Sequence, residues 1–127
     1  MTTRLLTPFV AVALLAFAAC GGERASSGTA PSGVDVEVHA LDGIAWNAKT
    51  YTATAVNGAI TIFAANDSTV AHNLQVKDKD GKDVGKLVDL SSPGSSETVE
   101  VKIAPGEYRI VCQVPGHNNM NSALTVK

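Results

Sequence analysis

Over residues 34–127 hydrophobic and polar positions alternate with a period of two, as strands do when one face meets a core and the other water. Val34, Val36 and Val38 alternate with Asp35, Glu37 and His39. Segments 51–56 and 59–65 flank Asn57-Gly58, a strong hairpin signal. Segments 74–77 and 84–88 flank a charged turn at Asp80-Gly81. Segment 98–103 alternates again, Pro105-Gly106 turns the chain into 108–114, and 123–127 closes the pattern. No stretch sustains a helical period, and a short helix has room only within 41–50 or 84–92. Seven or eight short strands in these 94 residues predict an all-β fold, an antiparallel sandwich or Greek-key barrel.

Residues 1–33 break the alternation. Arg4 lies in a short leading segment, and an apolar run follows over 8–19. That run is too short for a membrane span, which needs roughly 20 apolar residues, and has the length of a signal-peptide core. Ala18-Ala19-Cys20-Gly21 resembles the bacterial lipobox, with Phe17 where an aliphatic residue is usual. The resemblance implies cleavage after residue 19, lipidation of Cys20, and a protein exported to the cell envelope and held on a membrane. Residues 20–33, rich in Gly, Ser, Ala and Pro, read as a flexible linker to a single domain over 34–127.

Composition narrows the chemistry. A length of 127 residues leaves no room for a multidomain enzyme. Ten Lys and Arg against twelve Asp and Glu give a net charge of −2, with no basic footprint for nucleic acid. Two cysteines cannot build a disulfide framework. With Met1 and Cys20 assigned to export, the domain keeps one thiol, Cys112, and one thioether, Met120. A lone thiol in an oxidising envelope calls for a reason, and metal ligation supplies one.

The informative window is residues 108–127. Tyr108, Ile110 and Cys112 share a strand face, and Pro115-Gly116 turns the chain so that His117 and Met120 can come back beside Cys112. A second imidazole must come from elsewhere, and His72 sits at a loop-to-strand junction. Two imidazoles and a thiolate with a distant thioether form the ligand set of a blue-copper electron-transfer site. Zinc also takes Cys and His, but a thioether is not a donor it selects. The remaining candidates read as structural. His39 is expected at the surface, and Trp46 and Tyr108 in packing. The charged run 77–83 reads as a solvated hairpin and not as a calcium loop, since the Glu that would follow its Asp-Lys-Asp-Gly-Lys-Asp in a calcium motif is missing.

His72-Asn73, Cys112-Gln-Val-Pro-Gly-His117, Met120 and Leu124-Thr-Val126, approached through residues 105–112, together resemble a small cupredoxin of the plastocyanin and azurin type. Only Asn118 and Asn119 separate His117 from Met120, as in amicyanin-type loops. The resemblance implies His72, Cys112 and His117 as equatorial ligands of one copper ion and Met120 as the axial one. It implies that Asn73 ties the two ligand loops together, and that the exposed ring edge of His117 is the electron port. A monomeric one-electron carrier cycling Cu(II) and Cu(I) follows, meeting redox partners near Pro115 and His117. Copper storage or delivery is the alternative, disfavoured by a domain with a single Met. A copper oxidase or nitrite reductase would need more histidines than the one left over, His39, so an enzyme is not expected.

Overall fold

The computed structural model describes residues 28–127; the expected signal peptide, Cys20 and the linker up to residue 27 lie outside the described residues. The alternating segments become nine strands: β1 (Val36–Leu41), β2 (Ala45–Trp46), β3 (Thr50–Ala53), β4 (Ala59–Asn66), β5 (His72–Lys77), β6 (Asp83–Leu90), β7 (Ser96–Lys102), β8 (Gly106–Val111) and β9 (Asn121–Val126). One sheet has the order β2-β1-β4-β7 and the other β3-β9-β8-β5-β6. No helix forms among the described residues: β2 lies within 41–50, and β6 takes most of 84–92. The two sheets face each other as the all-β sandwich that the pattern predicts.

The alternation fixed which face is buried. Val36, Val38 and Ala40 of β1 point inward, as do Ile60, Ile62 and Ala64 of β4. They meet Leu74, Val88, Leu90, Ile110 and Leu124 of the other sheet, all at 0–1% exposure. Burying each such Leu, Ile or Val contributes about 1.5–3 kcal/mol, so this layer supplies most of the cohesion.

Strand pairing departs from the sequence reading in two places. The expected Asn57-Gly58 hairpin does not join β3 to β4. Asn57 (φ 53°) and Gly58 (φ 71°) do make the tight turn, and Val56 and Ala59 exchange hydrogen bonds of 2.9 and 3.1 Å across it. The ladder then stops, because Ala55 N–H donates to Lys127 O and Lys127 N–H to Ala53 O, both at 2.9 Å. These bonds carry β3 into the opposite sheet. Nor is the fold wholly antiparallel: β1 runs parallel to β4, and β3 parallel to β9. Alternation decides the buried face of a strand and is blind to its direction.

Two further features bear on the site. His39 is not the free surface residue expected. Its Nδ1 lies 2.6 Å from Asp67 Oδ2 and its Nε2 2.8 Å from Glu37 Oε1. The ring tilts against Phe63, which is 3% exposed although it faces away from the main core. The chain before β1 turns at residues 32–33, where Gly33 has φ 86°. Before that turn it passes the start of β7, where a Cβ on Gly28 would stand 4.0 Å from Ser96 Oγ.

Candidate metal centre

His72 opens β5, and Cys112 follows the last residue of β8. His117 and Met120 lie in the loop that leads to β9. This loop is folded by its own backbone. His117 N–H donates to Val114 O at 3.0 Å, Met120 N–H to His117 O at 2.9 Å, and Cys112 N–H to Met120 O at 3.0 Å. Gly116 sits at φ 88°, a left-handed conformation that glycine adopts without steric cost. The turn folds His117 back toward Cys112, and the bond to Cys112 holds Met120 at the base of the same loop.

Cys112 Sγ lies 3.6 Å from His117 Nδ1 and 3.9 Å from His72 Nδ1. The three donor atoms all fall within 4.8 Å of one another, close enough to share one ion. The two imidazole rings are 4.9 Å apart between centroids and inclined at 49°. His72 and Met120 are each 1% exposed, Cys112 7% and His117 8%. Burial lowers the pKa of His72, and the nearby His117 lowers it further. Both effects keep the ring neutral, the state a metal requires.

The neighbours hold this geometry in place. Asn73 Oδ1 accepts the Gln113 N–H at 2.7 Å, joining the loop of His72 to that of Cys112. Asn119 Nδ2 donates to Ile44 O at 2.6 Å, so the β1–β2 turn grips the ligand loop. Ile44 itself has φ 57°, a strained conformation for a β-branched residue. Trp46, buried at 5%, places its ring 6.4 Å from that of His72. Its Nε1–H has no hydrogen-bond partner among the described residues. On the far side of His72, Nε2 lies 2.8 Å from Ser68 Oγ.

Sequence reading missed Ser68, Asn66, Ile44 and Asn119. None carries a signal of its own, since Ser and Asn are ordinary loop residues whose partners are set only by the fold. Of the expected residues, the structure brings His72, Cys112 and His117 together and seats Met120 beside them in the same loop, while Pro115 and Gly116 are exposed at its tip.

The plastocyanin/azurin family of copper-binding proteins matches residues 33–127. The chain belongs to that family. No curated protein is significantly similar to it. Among solved structures it is similar to the dithionite-reduced auracyanin of Roseiflexus castenholzii, with a TM-score of 0.63 at 22% identity, covering 72% of this chain and 95% of that one. Auracyanin A of Chloroflexus aurantiacus, a "blue" copper protein, gives 0.62 at 21%, covering 75% and 100%. An azurin of Methylomonas sp. strain J gives 0.62 at 13%, covering 76% and 99%. For a plastocyanin/azurin protein the donor set suits its metal. A buried cysteine sulfur and a thioether beside two imidazoles favour copper, and among the described residues no carboxylate joins the cluster to draw a harder ion.

Proposed function

We propose that the protein is a type 1 blue-copper electron carrier of the cell envelope. His72 and His117 would hold the copper through Nδ1, Cys112 through Sγ and Met120 through its thioether. The observation that carries this reading is the convergence of three donor atoms within 4.8 Å at a buried point, with family membership beside it. Copper bound there supplies a one-electron Cu(II)/Cu(I) couple. The chain's own part is to present two imidazole nitrogens and a sulfur in a nearly fixed frame, so that little rearrangement accompanies electron transfer. Ligand loops pinned through Asn73 and Asn119 supply that frame.

Partners dock where the site comes nearest the surface. His117 is the most exposed of the four ligands, and Pro115, Gly116, Ala71 and Val70 beside the two histidines make an uncharged, largely apolar rim. The protein works as a monomer, held on a membrane through a lipid on Cys20, with the segment from Cys20 to Gly28 as tether; such a tether raises the effective concentration of membrane-bound partners. Storage and delivery fit less well, because His72 and Met120 are too deeply buried to pass an ion readily to another protein.

The test is direct. Cu(II) added to the copper-free protein gives an intense visible thiolate-to-copper band and a reversible one-electron wave in voltammetry. Cys112→Ser abolishes the band. A colourless wild type, or a Cys112→Ser protein that stays blue, overturns the assignment.

A further inference from the structure

Ser68 lies in the loop between β4 and β5 and is 4% exposed. Its hydroxyl stands between the buried ligand candidate His72 and the fully buried amide of Asn66. Every polar atom of that amide is engaged. Asn66 Nδ2 donates to Val70 O and to Leu90 O, both at 2.8 Å. Asn66 Oδ1 accepts the Ser68 N–H at 2.9 Å and faces the Ser68 hydroxyl at 2.8 Å. The two carbonyls on one side and the backbone N–H on the other fix which end of the amide is oxygen.

A serine hydroxyl has one proton and two lone pairs. Two acceptors compete for that proton, Asn66 Oδ1 at 2.8 Å and Val70 O at 3.1 Å. Ser68 Oγ therefore turns a lone pair toward His72 Nε2, 2.8 Å away. That lone pair suits the His72 tautomer with its proton on Nε2, which leaves a bare Nδ1 facing Cys112 Sγ.

We propose that Ser68 is a positioning residue for the copper couple, fixing the tautomer and rotation of His72 through a hydroxyl that Asn66 holds in place. The proposal rests on the reading of His72 as a copper ligand. A hydrogen bond accepted from the outer nitrogen raises the basicity of the ligating one, which favours Cu(II) over Cu(I) and holds the reduction potential down. The device lies wholly outside the ligand set: it acts on the metal through the far edge of one ring.

The test compares Ser68→Ala, Ser68→Val and Ser68→Thr in the full chain, loaded with copper and measured by voltammetry. Thr and Val have the same shape and differ in the hydroxyl. Loss of the hydroxyl in Ala and Val shifts the Cu(II)/Cu(I) equilibrium about tenfold toward Cu(I), a rise of about 59 mV for one electron, while Thr stays with the wild type. The visible band persists, because Cys112 is untouched, and its maximum shifts in Ala and Val alone. Equal potentials in Val and Thr overturn the proposal and leave the copper reading intact. Failure of Ala and Val to fold by circular dichroism, with Thr folded, also overturns it, since the hydroxyl is then a strut of the core. A wild type that takes up no copper overturns both.

Discussion

His39 stands between two carboxylates, Asp67 at 2.6 Å and Glu37 at 2.8 Å. Burial alone would lower its pKa, but hydrogen bonds to Glu37 and Asp67, together with their charges, outweigh burial and raise it. A raised folded pKa stabilises the fold fully below the unfolded value of about 6.5, and the gain fades as pH climbs through the folded pKa. Urea unfolding of the copper-free wild type and His39→Gln should therefore differ more near about pH 5.5 than near about pH 8.5. An equal difference at both pH values would remove the ion clamp from the account. At this scale the sequence was legible where residues are scarce and close together. Cys112, His117 and Met120 stand out because the domain has one thiol and one thioether within nine residues. Ser68 and Asn66 did not, because their meaning lies in a network closed by Val70 and Leu90, one of them 24 residues from Asn66.

Among elements, β5 and β6 show how a strand pair absorbs an irregularity. Their register slips between Leu74 and Val76, and the Gln75 amide, 2% exposed, donates to Val84 O and Gly85 O at 3.2 and 3.3 Å. Gly85 has φ 73°, and a Cβ there would come 3.2 Å from Val101 Cγ1 on β7. Gly58 has a similar φ of 71°, but nothing stands within 4 Å of its Cβ position. The two glycines separate backbone strain from crowding. Gly58→Ala is expected to cost about 1 kcal/mol in chemical denaturation, and Gly85→Ala clearly more, since it adds pressure between the sheets. Equal costs would mean that Val101 gives way freely. Element faces were legible from alternation. The pairing was not, and 57–58 shows why: a turn can be local and correct while backbone bonds to Lys127 draw the preceding strand into another sheet.

The molecule as a whole is closed by contacts remote in sequence. Thr50 pairs with Ala123 and Val36 with Ile62, both in parallel register. Loops of that size must close before their contacts repay the entropy, so copper-free protein should refold in milliseconds to seconds rather than microseconds. Trp46, the only tryptophan, reports this by stopped-flow fluorescence from beside His72. A microsecond phase carrying the full amplitude would contradict it. The path of the chain before β1 has its own consequence. Val34 and Asp35 begin at the end of the sandwich remote from the ligands, where Asp35 N–H meets Thr61 O. Gly28, however, has come back to Ser96, which pairs with Ala65 next to Asn66. If the protein is held on a membrane through Cys20, as proposed above, tension on the segment before Gly28 would be delivered beside the ligand end of the sandwich. On that proposal, a domain hung from this point would swing with its ligand loops toward the anchorage, its orientation biased before any partner arrives.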